Sequence, residues 1–350
     1  MLLIERISPA LENVDSSSGA LGTAVNHAID ELAMIISTVE VDTESRERWL
    51  ERLWSAHEAD RMPYIESLAD HWGELCGRRE LASGWADRLM DATRTALNPD
   101  PSRHAFFHGT SACLSALYRA ERYEEIVDLL DVDAIWTYKR WSAMALVAMG
   151  KKSEAIRYSE ACRGPWTNDG DVDAVCEEIL LSSGLVEEAY RRYGLRADRC
   201  GTYLATFRAT AKKYPHKPAR DVLMDLVRSA PGTEAKWFAA AKDAGLYEEA
   251  LSLAGSGPCD PRTLTRAARD FAITRADFAR AAGMLALHWL VEGYGYEITS
   301  DDVWAAYASV MAAANELGIA EETRGEIMQL VAGEPKPCFV ANVLARELGG

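Results

Sequence analysis

A short phrase recurs along the chain: a glycine, two spacers, a polar or acidic pair, a small residue and a large apolar one. It reads Gly150-Lys-Lys-Ser-Glu154-Ala155-Ile156, then Gly184-Leu-Val-Glu-Glu188-Ala189-Tyr190, then Gly245-Leu-Tyr-Glu-Glu249-Ala250-Leu251. The first two copies start 34 positions apart, and helix–turn–helix units repeating at that period stack into an α-solenoid. The physics of the phrase is local. Glycine ends one helix in a left-handed conformation that a side chain reaches only with strain. The acids that follow complement the positive end of the next helix. The small residue lets that helix lie close to its neighbour.

Glu121-Arg-Tyr-Glu-Glu125-Ile126 fits the phrase if Glu121 takes the place of the glycine, and Gly318-Ile-Ala-Glu-Glu322-Thr323 is a degenerate copy. The gaps between starts are then 29, 34, 61 and 73 residues. The two long gaps are near two periods each, which predicts one further copy, unrecognisable in sequence, inside each.

Apolar spacing elsewhere is also helical. Ala24, Val25, Ala28, Ile29, Leu32 and Ile36 share one face. Trp49, Leu50, Leu53 and Trp54 make a second helix, Ile65, Leu68, Trp72 and Leu75 a third, and Leu81, Trp85 and Leu89 a fourth. Pro99 and Pro101 interrupt the pattern, because proline is excluded from a helix interior. The break divides the chain into an N-terminal helical region, 1–97, and a repeat region, 98–350. Within the latter, Asp260-Pro261 reads as an N-cap with proline in the first turn. Thr274-Arg-Ala-Asp277 and Thr299-Ser-Asp-Asp302 read as capping boxes, and Val303, Trp304, Tyr307, Val310, Met311, Ala314 and Leu317 as one buried stripe. The expected fold is all-α, an antiparallel helix-pair solenoid.

The clearest copy, Trp141-x-x-Met144-Ala145-x-x-Ala148-Met-Gly150-Lys-Lys-Ser-Glu-Ala155-Ile156, resembles the tetratricopeptide (TPR) repeats. The likeness extends over 117–251. Met144 and Ala145 stand where the family has Leu and Gly, Ala148 where it has Tyr, and the repeat-closing proline is missing, so the resemblance is to an irregular TPR-like array. It implies a scaffold that holds another macromolecule. The stretch 202–307 also resembles parts of uncharacterised bacterial helical proteins, some carrying a SWIM-type zinc finger. The C-x-C and C-x-H ligands of that finger are absent here, so this likeness implies no metal.

Composition narrows the class. At 48% hydrophobic and 26% charged, the 350 residues are those of a folded chain. No apolar run is long enough to cross a bilayer, and the N-terminus reaches Glu5 before any secretory apolar core forms. The seven cysteines, at 76, 113, 162, 176, 200, 259 and 338, form no C-x-x-C pair. That pattern suits a reducing cytoplasm, with several thiols as small buried hydrophobes.

Chemical motifs are weak. His104 and His108 are four apart, a spacing that can chelate a metal, but Ala105 stands where a zinc protease needs glutamate. Gly150-Lys151-Lys152-Ser153, Asp169-Gly170 and Gly255-Ser256-Gly257 lack the rest of a P-loop, a calcium loop and a nucleophile elbow. The pairs Glu124/Glu125, Glu177/Glu178 and Glu248/Glu249 read as helix starts or solvated faces. No enzyme activity and no cofactor follow from these residues.

Charge is the sharpest anomaly. Over 191–228, ten basic residues meet three acids, giving +7 there and −23 for the rest of a chain whose total is −16. Arg208 and Lys212 lie along one helical stripe beside Lys213, and Lys217 and Arg220 flank a turn at Pro218. Tyr203, Tyr214 and Trp237 can add contact area. On the concave side of a solenoid these residues would receive an acidic protein segment, or, as the alternative, a nucleic-acid backbone, the chain serving as a subunit of a larger complex. A solvated face neutralised by neighbouring acids such as Glu177, Glu178 and Glu248 is the other reading.

Overall fold

The structure is a computed structural model that describes residues 2–11, 14, 19–100, 102, 105–132, 134–332 and 339–348. Among them the chain is all-α, with twenty α-helices and no strand. It divides into two compact units, Met1–Leu185 and Val186–Gly350.

In the first unit, Leu2–Leu11 (α1), Ala20–Thr38 (α2), Thr43–Glu58 (α3), Trp72–Cys76 (α4) and Arg79–Ala96 (α5) precede the proline break. Thr110–Arg119 (α6), Tyr123–Leu129 (α7), Trp136–Ala148 (α8), Lys152–Ala161 (α9) and Asp169–Leu181 (α10) follow it. The break is not a boundary between compact units. α5 packs directly on α6, and one core joins Leu89 and Met90 to Leu114 and Leu117 across it.

The indoles of Trp54, Trp72 and Trp85 meet one another in this core at 5.0–5.7 Å between centroids, a spacing at which aromatic edges and faces attract. The single helix expected from Ile65, Leu68, Trp72 and Leu75 is instead a 3₁₀ turn, Glu66–His71, running into α4. All four side chains are still buried. A tighter helix eclipses positions three apart, which keeps Ile65 over Leu68 on the core side. Gly73 there lies so close to α6 that an added Cβ would fall 2.3 Å from the Ser115 carbonyl oxygen, and its N–H donates to Ser115 Oγ at 2.9 Å.

In the second unit, Val186–Ala189 (α11) runs into a π-helical turn, Tyr190–Gly194. Then come Tyr203–Lys213 (α12), Ala219–Ser229 (α13), Phe238–Asp243 (α14), Tyr247–Gly255 (α15) and Pro261–Phe271 (α16). Ala276–Val291 (α17), Ser300–Glu316 (α18), Ala320–Ala332 (α19) and Phe339–Leu348 (α20) complete it. Helices pack on their sequence neighbours and also on their next-but-one neighbours: α12 on α14, α15 on α17, α16 on α18 and α17 on α19. The first unit does the same where α6 meets α8 and α8 meets α10. Such alternation is compatible with a helical repeat.

The phrase residues form the expected turn. Gly150, Gly184, Gly245 and Gly318 have φ of 78, 73, 74 and 72°, and Glu121 in the glycine's place has φ of 59°. After each, the next amide reaches back five residues, as Lys151 N–H does to the Leu146 carbonyl at 2.8 Å and Leu246 N–H to the Ala241 carbonyl at 2.9 Å. These are Schellman closures, which satisfy carbonyls that a helix end leaves open. Ala155, Ala189 and Ala250 are fully buried. Inside the two long gaps lie the helix pairs α12/α13 and α16/α17, each joined by a turn without glycine.

Caps divide. Asp260 accepts from Thr263 N–H at 2.9 Å, with Pro261 opening α16. Thr299 and Asp302 make the full capping box. Thr274 and Asp277 make none: α17 starts after Arg275, without a side-chain cap. On α18, Trp304 and Leu317 are exposed by 37% and 40%. Trp304 directly follows Val303, so the helical turn between them carries it off the buried stripe.

Candidate functional site

The basic run occupies α11 to α13 of the second unit. Threonine at 202 caps α12, its Oγ1 accepting from Ala205 N–H at 3.1 Å, and Pro218 stands at the N-cap of α13. Arg208, Lys212 and His216 are exposed along the expected stripe.

Most of the cations are held by carboxylates of the same unit. Arg208 Nε donates to Asp243 Oδ2 at 2.8 Å, and Lys213 pairs with Asp198 at 2.5 Å. Lys217 Nζ and His216 Nε2 both reach Glu187 at 2.9 Å. Arg220 Nε donates to Glu249 at 2.5 Å, and Arg228 pairs with Asp225 at 2.9 Å. Acids that pair with these cations include Glu187, Asp198, Asp225, Asp243 and Glu249. Hydrogen bonds from the bound cations hold Asp243, Glu249 and Glu187 below the usual carboxylate range. Lys212 is exposed and makes no ion pair among the described residues.

The aromatic residues are placed differently from the expectation. Tyr214 is fully buried, its ring edge-on to Tyr190 at 4.9 Å, and Trp237 is 3% exposed. Both rings pack inside the unit, and what little of Trp237 is exposed lines a cavity there that Arg199, Tyr203 and Leu226 also line. Tyr203 is half-buried, edge-on to Trp237 at 4.9 Å. The Lys217 ammonium stands 4.3 Å from the Tyr190 ring centroid, a cation–π contact added to its carboxylate.

Elsewhere, His104 lies outside the described residues. The His108 carbonyl accepts from His57 Nε2 at 3.2 Å. No group of three or more His, Cys, Asp or Glu among the described residues could hold a metal ion. Lys152 of the P-loop-like string donates to the Ser182 carbonyl at 3.1 Å, within a helix-pair turn. Cys76, Cys113, Cys176 and Cys259 are buried, Cys162 is half-buried and Cys200 is exposed. No helix among the described residues is long and apolar enough to cross a membrane.

The cross-pair carboxylates escaped the sequence reading, although a signal was present. Arg220 and Glu249 are 29 positions apart, which is one of the gaps between phrase copies, so a charge sum taken at that spacing would have paired them. No protein-family model matches the chain, nor does a curated protein or a solved structure.

Proposed function

We propose that the chain is a TPR-like helical-repeat module that holds a protein partner and performs no chemistry of its own. One observation carries this reading: the same left-handed, Schellman-closed turn recurs at Glu121, Gly150, Gly184, Gly245 and Gly318. Repeats of this kind grow by stacking and present long rows of side chains, which suits them to binding macromolecules.

The partner surface is the exposed stripe of α12 and the turn after it. Lys212 offers a free charge there, and Arg208 and Arg220 lie on the surface, where an acidic segment can share them with Asp243 and Glu249. Charge complementarity of this type governs association rate and selectivity more than affinity. A nucleic-acid backbone is the weaker candidate, because Arg208, Lys213, Lys217 and Arg220 already meet carboxylates that would repel phosphate.

The test is capture of partners from the native host by the wild-type chain and by Lys212→Glu, compared by mass spectrometry at low and high salt. A partner held by the wild type at low salt and lost from the variant supports the reading. Identical capture by both chains removes the surface. A single-stranded oligonucleotide shifted by the wild type would favour nucleic acid instead.

A further inference from the structure

A cavity of about 700 Å³ opens in the first unit where the end of α2, the start of α3 and the turn after α4 meet; residues 37–42, Arg46 and 76–78 line it. We propose that it binds a free amino acid with an aliphatic side chain, Arg46 and Arg78 holding the carboxylate, Glu40 and the end of α2 the ammonium. The site belongs to the first unit and goes beyond the scaffold reading.

Arg46 is the unusual group in the wall. Its side chain is always charged, yet it is 6% exposed and meets no carboxylate among the described residues. Nη1 donates to the Ile36 carbonyl at 2.8 Å and Nη2 to the Val39 carbonyl, both neutral acceptors. Burial pulls its pKa down, and Arg78 adds to that by repulsion. A buried charge without a counter-ion is costly, and a carboxylate on a ligand removes that cost. Nε–H has no hydrogen-bond partner among the described residues and is not shut off from solvent. This edge of the guanidinium faces Gly77 of the cavity wall: a Cβ added there would lie 3.8 Å from Nε and 3.9 Å from Cζ and Nη2. Glycine leaves the edge uncovered. Arg78, the next residue, is exposed, donates to Thr43 Oγ1 at 2.9 Å and makes no ion pair among the described residues. Two guanidinium forks without acids suit a planar carboxylate.

The remaining charges make the ligand a zwitterion rather than a simple anion. Glu40 and Asp42 also line the cavity, so its two acids balance its two arginines. Asp42 is occupied as the cap of α3, Oδ1 accepting from Ser45 N–H and Oδ2 from Ser45 Oγ, each at 2.8 Å. Glu40 is exposed and makes no ion pair among the described residues. Beside it α2 ends, and the Ser37 and Thr38 carbonyls accept no bond among the described residues. Open carbonyls at a helix C-terminus favour a cation. Val39 and Val41 supply an apolar part of the wall, which suits an aliphatic side chain. The volume lies within the range of about 300–1,000 Å³ typical of small-molecule sites.

Leucine is the probe, with 4-methylpentanoate and 3-methylbutylamine as controls that each lack one of its two charges. Binding to the full chain is read by saturation-transfer NMR and isothermal titration. Leucine is expected to bind, and both controls to bind at least roughly fivefold more weakly. Arg46→Lys keeps a donor for the α2 carbonyls but loses the planar fork, and should weaken leucine roughly tenfold or more. Arg78→Gln, at an exposed position, should weaken it about two- to fivefold. Glu40→Gln should weaken leucine and leave 4-methylpentanoate unchanged. Circular dichroism checks that each variant is folded, and Arg78→Gln decides if Arg46→Lys is not. The proposal is overturned if leucine does not bind at up to about 10 mM, if either control binds as well as leucine, or if the folded arginine variants bind like the wild type.

Discussion

Arg220 of α13 donates to Glu249 of α15 across 29 residues, at 2.5 Å, and so ties one helix pair to the next. Arg208 to Asp243 and Lys217 to Glu187 repeat the relationship at separations of 35 and 30 residues. Glu187 and Glu249 are acids of the glycine phrase itself. They do more than complement a helix N-terminus, since each also receives a cation from a neighbouring pair. In a double-mutant cycle of Arg220→Ala and Glu249→Ala, read by urea denaturation, the coupling should be small and favourable at low salt. Both partners are near the surface, where such pairs are weak. It should vanish at about 1 M salt, where the screening length falls to roughly 3 Å. A coupling that persists at high salt would contradict this picture.

The turn at Glu121 is the one phrase copy without glycine, and it takes the same left-handed conformation, with φ of 59°. A side chain there is strained by about 1–2 kcal/mol. Glu121→Gly should therefore stabilise the chain by up to about 1 kcal/mol, reduced by loss of the exposed pair with Arg79. Gly245→Ala, at φ of 74° with nothing within 4 Å of the added Cβ, should destabilise by about 1 kcal/mol through backbone strain alone. Chemical denaturation of the two variants checks both signs, and a shift in the same direction for both would contradict the assignment.

These turns were legible because their determinants are local. A glycine, or a residue forced into its role, fixes the helix end, and the small residue five positions on is buried wherever the phrase is clear. The caps at Asp260 and Thr299 were legible for the same reason. Charge was not. The excess of +7 over 191–228 is a sum along the chain, whereas neutralisation acts between helix pairs about one period apart. The burial of Tyr214 and Trp237 was hidden similarly, since helical spacing tells which residues share a face but not whether a neighbouring pair covers it. The cavity lined by Arg199, Tyr203 and Trp237 is assembled from a loop, a helix start and a distant indole, and no run of residues announces that.

Burial holds His57 below its ordinary value of about 6.5, against a smaller opposing effect of its bond to the His108 carbonyl. A carbonyl only accepts, so Nε2 carries the proton, and the buried Nδ1 has no hydrogen-bond partner among the described residues. The unfolded chain takes up a proton near pH 6.5 that the folded chain refuses. His57 thus contributes full stability above about pH 6.5, and that contribution falls as pH drops toward the folded pKa. Ring-proton NMR should show His57 titrating below about pH 6.5. His57→Gln should flatten the stability profile below about pH 6.5. A His57 that titrates at or above its ordinary value would remove the effect.

Gly283 marks a close approach of helices in the second unit. A Cβ at this position of α17 would sit 2.4 Å from Val310 Cγ2 on α18 and 3.3 Å from Ala268 Cβ on α16, and all three residues are buried. Intrinsic propensity alone would favour Gly283→Ala by up to about 1 kcal/mol, because glycine is a poor helix former. Overpacking opposes it by about 1–3 kcal/mol, and Val310 is β-branched, with little rotamer freedom to turn its methyl away. Packing should win, making Gly283→Ala net destabilising by about 1–2 kcal/mol. Gly84→Ala isolates the other effect: it lies within α5, is exposed and has open space around its Cβ. That variant should gain several tenths of a kcal/mol or more. Thermal and urea unfolding of the two alanine variants measure the balance, and a stabilised Gly283→Ala would mean that α16, α17 and α18 are packed less closely than this geometry requires.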